Sequence, residues 1–183
     1  MTSHGRFTRE MILEGAFRLF RREGMGGMNL RAIARETGCS TQPLFTYFVN
    51  AAEIRGEMGE LATRFLRDTI EPALSTTSAM EEACFAFVRF AREDRALFFY
   101  LFTETRLGRE VLLGEDGLRA ATVAAVREQE DLDEAGAQEL TQAAAIYAHG
   151  LAFMLASGTT EMTDEEVKEK IEAQFRAVRE RLG

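Results

Sequence analysis

Thr41, Gln42 and Thr46 form a small polar set within the stretch TQPLFTYF, and on a helix beginning at Thr41 they project from one side. Leu44 and Phe48, four residues apart, point the opposite way. Uncharged hydrogen-bonding side chains near the start of a short exposed helix can meet base edges in a major groove, where a glutamine pairs bidentately with adenine. Catalytic chemistry finds much less material. The two histidines, His4 and His149, lie far apart, and neither belongs to a Glu-x-x-His pair. Cys39 and Cys84 have no second thiol or histidine at metal-ligand spacing. The carboxylate pairs, such as Glu81-Glu82 and Asp164-Glu165-Glu166, suit the first turns of helices. No enzyme activity, metal or cofactor is expected.

The elements that would position the polar set follow from local signals. From Phe7 to Glu23, Ile12, Ala16, Leu19 and Phe20 recur on one helical face, and Gly24 can terminate that helix. Asn29 can cap a short second helix with Leu30, Ile33 and Ala34 on its inner side. Ala34 permits a close helix crossing, and Gly38 supplies the positive φ of a tight turn. Ser40 is placed to cap the third helix, with Pro43 tolerated in its first turn. Two short helices joined in this way form a helix-turn-helix. Asn50, with Glu53 three residues later, can cap the helix that follows, whose positive N-terminal end can itself face a phosphate.

Charge divides along the same line. Residues 1–50 carry seven arginines against four glutamates, a net of +3, while the rest of the 183-residue chain carries −11, for −8 overall. A basic head can approach a polyanion while an acidic body stays clear of it. Val and Ile are scarce beside Ala, Leu, Glu and Arg, and only Pro43 and Pro72 interrupt the chain. An all-α fold of about nine helices is expected, with breaks near 24–29, 38–40, 49–50, 72–78, 107–108, 131–133 and 157–163. The longest apolar stretch, residues 143–156, is too short for a bilayer, which needs roughly 20 residues, so no membrane span is expected. The first residues lack a hydrophobic signal core, and two cysteines are too few for a disulfide framework, so a cytoplasmic protein is expected.

The run FTREMILEGAFRLFRREGMGGMNLRAIARETGCSTQPLFTYFVNAAEI, with its R-x-I-A-x-x-x-G core at Arg31, Ile33, Ala34 and Gly38, resembles the DNA-binding domain of the TetR family of transcriptional regulators. The resemblance implies a helix-turn-helix domain over residues 1–52 and a helical ligand-binding and dimerisation domain over residues 53–183. It implies that Arg31 reaches a base edge or phosphate, that Thr41, Gln42 and Pro43 face the bases, and that Tyr47 bonds a phosphate. Ser40, Thr46 and Asn50 complete the DNA-facing set. Phe45 and Ala51 depart from the tyrosine and lysine usual in the family, which removes about one ionic contact per subunit and would lower the salt slope by about 0.9. Arg55 can substitute from the next turn.

Helix 4 should run from Ala51 to about Ile70 and link the head to the body through Met58, Leu61, Phe65 and Leu66. Phe85, Phe87, Phe90, Phe98, Phe99, Tyr100 and Phe102 crowd residues 79–102 and suit either a solid core or a ring-lined cavity. The resemblance favours an inducer pocket for an apolar or aromatic molecule, with Leu61, Phe65, Phe85, Phe98, Phe102 and His149 as candidate contacts. His149 lies in IYAHGLAFMLASG, similar to a signature of some TetR-like C-terminal domains. Leu140, Ala144, Tyr147, Leu151 and Met154 form one stripe, and Val167, Ile171, Phe175, Val178 and Leu182 another. They suit either the protomer's own core or a two-subunit four-helix bundle, with Tyr147, Leu151, Met154, Ile171, Phe175 and Val178 at its seam. The expected protein is a homodimeric repressor, bound to a palindromic operator on double-stranded DNA and released by a small-molecule effector. The alternative is a helical small-molecule- or partner-binding module with weak or lost operator binding.

Overall fold

The computed structural model describes residues 7–114 and 117–182, and among them every regular element is helical. His4 lies outside the described residues. The head consists of α1 (Arg9–Glu23), a 3-10 turn (Met25–Gly27), α2 (Leu30–Thr37) and α3 (Thr41–Tyr47). The linking helix α4 spans Ala51–Ile70 and ends in a second 3-10 turn. The body comprises α5 (Ala79–Glu93), α6 (Arg95–Phe99), a π turn (Tyr100–Glu104), α7 (Leu107–Leu113), α8 (Leu118–Glu130), α9 (Glu134–Ser157) and α10 (Asp164–Leu182). None of these helices is long and apolar enough to cross a membrane.

Local chemistry sets the helix ends. Asn29 Oδ1 accepts from Ala32 N at 3.0 Å, and Asn50 Oδ1 accepts from Ala52 N at 2.8 Å and Glu53 N at 3.1 Å. Glu53 reaches back to Val49 N rather than to Asn50, at 2.7 Å. Gly24 and Gly38 both stop their helices at positive φ, 72° and 74°. Ser40 occupies the cap position of α3, but its hydroxyl makes no capping bond.

Ile12, Leu19, Phe20, Ile33, Leu44 and Phe48 are buried together inside the head. That core continues into the body, because Phe17 meets Phe65 of α4 at 5.8 Å and Phe20 meets Tyr100 edge-on at 4.9 Å. An ion pair ties the two parts as well. Arg21 donates to both carboxylate oxygens of buried Asp94, at 2.5 and 3.0 Å, and its guanidinium lies 4.5 Å from the centre of the Phe65 ring. Asp94 splits the phenylalanine-rich run into α5 and α6, a break the apolar pattern does not announce.

The two long stripes face inward. Leu151, Ile171, Phe175 and Val178 are 1–6% exposed, packed where α9, α10 and α5 meet. As a seam between subunits they are corrected: an apolar face already covered by its own protomer has little area left to bury against another. Tyr147 is half-buried, and only Met154 of the six is open, at 43%.

Candidate nucleic-acid interface and ligand cavity

α3 is held by one side and free on the other. Leu44 and Phe48 anchor it, while Gln42, Thr46 and Tyr47 are exposed and Thr41 and Pro43 half-buried. Arg31, at the start of α2, is exposed, as are Ser40 and Asn50. Thr46 donates to the Gln42 carbonyl at 3.3 Å, leaving the Gln42 amide free to point outward. Tyr47 differs from expectation. Its hydroxyl donates to the Phe7 carbonyl at 2.9 Å, so its proton is used within the chain and only its lone pairs remain open.

The arginines of the head divide into two groups. Arg9 pairs with Glu57, Arg18 and Arg22 share Glu36, and Arg21 holds Asp94. Arg31 and Arg35 make no ion pair among the described residues, and the same holds for exposed Arg55 at the start of α4. Among the described residues, the cations left for a phosphate backbone are therefore Arg31, Arg35 and Arg55; Arg6 lies outside them.

A close approach sets the angle of α2 and α1. A Cβ on Gly15 would sit 2.6 Å from Thr37 Oγ1 and 3.4 Å from Thr37 Cα, so only glycine lets the helices cross there. The sequence places Ala34, which is buried, at the crossing of α2 with α3; it does not disclose Gly15, whose partner lies 22 residues away.

The body holds a cavity of about 870 Å³, open to solvent on one side, bounded by α5, the π turn, α7, α8 and α9. Of the residues expected there, Phe102 and His149 line it. Phe98 lies behind the wall, fully buried, its ring 6.0 Å from that of Phe87 and 5.2 Å from that of Phe102. Leu61 and Phe65 sit on α4, Phe65 against Phe17 of α1 and Phe90 of α5. Phe85 faces α10, with Lys168 Nζ 4.6 Å above its ring. Phe85 and Phe87 are two residues apart on one helix and so point in nearly opposite directions, which composition alone cannot resolve.

His149 lies nearly flat against Phe87, at 5.3 Å and 29°, and edge-on to Phe102 at 4.9 Å. Burial among these rings pushes its pKa below the usual 6.5, so it is neutral at physiological pH. Burial also raises the Cys84 thiol to about 12, which leaves it unreactive. Arg109, Arg119, Thr122 and Thr141 also contribute to the wall, and the sequence analysis named none of them. They come from three helices and carry no shared spacing. Among the described residues, no group of three His, Cys, Asp or Glu side chains could hold a metal ion.

Known proteins agree with this arrangement. The model of the tetR family of bacterial regulatory proteins matches residues 12–58. A TetR-like transcriptional regulator from Rhodococcus sp. RHA1 superposes with a TM-score of 0.62 at 19% identity, covering 93% of this chain and 96% of that one. A protein of unknown function from the same organism gives 0.67 at 22% identity, covering 96% and 98%. A candidate TetR-family regulator from Mesorhizobium loti MAFF303099 gives 0.61 at 15% identity, covering 94% and 97%. No curated protein matches the chain significantly in sequence. The chain therefore carries the N-terminal helix-turn-helix region of the TetR family at residues 12–58, within the all-helical fold of TetR-like transcriptional regulators.

Proposed function

We propose that the chain is a homodimeric transcriptional repressor, held on a palindromic operator by α3 and released when a small molecule with an apolar or aromatic body fills the cavity. Residues 1–52 act as the reading domain and residues 53–183 as the ligand-binding and dimerisation domain. The observation that carries this reading is the polarity of α3, with Leu44 and Phe48 buried while Gln42 and Thr46 face solvent beside unpaired Arg31 and Arg35. Arg31, Thr41, Gln42, Pro43 and Thr46 contact the groove, and Ser40 and Asn50 the adjoining backbone. Tyr47 joins them as a donor to phosphate once its bond to Phe7 opens.

A dimer would place two α3 helices about 34 Å apart, one helical turn of DNA. The surface suited to pairing is the open side of α9, where Ile146 is 66%, Phe153 46% and Met154 43% exposed around Gly150; these residues also line the cavity, so pairing here would cover part of its opening. The π turn offers a coupling route. Phe102 faces the cavity, and Tyr100, two residues earlier, packs on Phe20 of α1. A ligand that displaces Phe102 favours a conformer in which Tyr100 and α1 have moved, and the two reading heads no longer match successive grooves.

An electrophoretic shift with DNA from upstream of the coding sequence, at low salt, tests the reading. A sequence-preferring complex is expected, abolished by Arg31→Ala with the oligomeric state unchanged. Absence of any such complex defeats it and favours the second reading, a ligand- or partner-binding module without operator affinity, which the internal Tyr47 bond and the residues Phe45 and Ala51 support.

A further inference from the structure

Among the described residues, which do not include Glu115 and Asp116 between α7 and α8, the charge of the cavity wall is one-sided. Residues 51–183 carry a net −11, yet the wall has no carboxylate among its described residues, and its charged side chains are Arg109 of α7 and Arg119 of α8. Neither arginine has an ion pair or hydrogen bond among the described residues. Elsewhere in the body, Arg92 pairs with Asp164, and Arg179 bridges Glu81 and Glu130. Two exposed guanidinium groups at the edge of an apolar cavity, unpaired among the described residues, have the charge and fork geometry to receive an anion.

The interior adds a second unmet need. Thr141 of α9 is a wall residue only 7% exposed, and its buried hydroxyl has no hydrogen-bond partner among the described residues. Most mid-helix threonines of this chain satisfy the hydroxyl on the carbonyl four residues earlier, as Thr122 does on Leu118 at 2.8 Å. A buried polar atom without a partner calls for an acceptor from outside the chain. Around it Phe87, Phe102, Leu118 and Ile70 supply apolar surface, and the volume lies within the range of roughly 300–1,000 Å³ typical of ligand sites.

We propose that the cavity takes an amphipathic carboxylate, an organic acid with an extended apolar or aromatic body. The head lies against Arg109 and Arg119, the body lies along the touching rings of Phe87 and Phe102, and an oxygen of the ligand meets Thr141 Oγ1. An amine of similar shape would find two like charges and no carboxylate among the described wall residues, and an alcohol would leave both guanidiniums unneutralised. This inference rests on the cavity being the effector site.

Isothermal titration with decanoate, 1-decanol and decyltrimethylammonium, each below its micelle concentration, reads the preference. Decanoate is expected to bind about tenfold or more tightly than decanol, as charge-assisted hydrogen bonds imply, with the ammonium weakest. In R109Q/R119Q, decanoate should fall to the affinity of decanol, and decanol should be unchanged. Raising the salt concentration on the unmodified chain should weaken decanoate selectively. Equal binding of decanoate and decanol, or a preference that survives R109Q/R119Q, overturns the anionic head while leaving the cavity standing. Binding of none of the three overturns both. Decanoate that binds without dissociating the operator complex upholds this inference and overturns release by ligand.

Discussion

α3 and the cavity hold their polar groups in opposite ways. On α3, Gln42 and Thr46 face water, which satisfies them until a partner arrives, so displaying them carries little stability penalty. In the cavity, Thr141 keeps a hydroxyl away from water with no partner, which costs about 1–3 kcal/mol. A solvated reading face can change its residues while the fold stays intact. A ligand cavity holds part of its binding free energy as instability of the empty state, which a fitting molecule then offsets.

The joint between the two regions should give the largest effect. Arg21→Ala leaves the Asp94 carboxylate buried and uncompensated, a loss of about 2–3 kcal/mol after allowance for the partial exposure of Arg21. Calorimetry should show the melting temperature lowered by roughly 5–10 °C. An unchanged melting temperature would mean that the ring contacts of Phe17 and Phe20 alone join head to body.

Gly15→Ala acts within the head alone. The added methyl meets Thr37, and the helices must separate or Thr37 must give up its bond to the Ile33 carbonyl, at about 1–3 kcal/mol. Operator binding should fall with stability, since the angle of α2 and α3 on α1 changes. A variant as stable as the parent would show that the crossing has slack.

These two sites mark the limit of what the sequence discloses. The caps at Asn29 and Asn50, the turn at Gly38 and the inward side of α3 each involve residues within a few positions of one another, and a reader of the chain can find them. Gly15 with Thr37 and Arg21 with Asp94 are contacts across distance, without a local pattern. The stripes on α9 and α10 were visible, but periodicity says only that a face is apolar and not whether protomer or partner covers it. The cavity was harder still. Its wall draws on α5, α7, α8 and α9, and its position depends on where side chains fail to fill space. Phenylalanine content therefore pointed to the right neighbourhood while placing Phe65, Phe85 and Phe98 in packed positions instead.

The contrast between the two kinds of polar group is tested by paired substitutions. Thr141→Val should stabilise the empty protein by about 1 kcal/mol by removing an unsatisfied hydroxyl, raising the melting temperature by roughly 3 °C. Thr46→Val on the exposed side of the reading helix should leave stability within about 0.5 kcal/mol and alter operator binding instead. Equal effects at both sites would erase the distinction.

The smallest effect, and the most selective, is in pH. The cavity rings disfavour the charged form of His149, so its folded pKa lies below 6.5 while the unfolded chain still titrates near 6.5. The unfolded state then binds more protons between those two values. The contribution of neutral His149 is fully present above pH 6.5 and is lost as the pH falls through that value towards the folded pKa. Urea midpoints at pH 7.5 and 5.5 should therefore fall for the parent and fall less for His149→Phe, which keeps a ring against Phe87 without a titrating nitrogen. The carboxylates whose pKa values are lowered by ion pairs, Glu36 and Asp164, act below this window and cancel in the comparison. Identical pH responses in the two proteins would mean that water reaches the imidazole freely, and that the far wall of the cavity is as wet as the surface of α3.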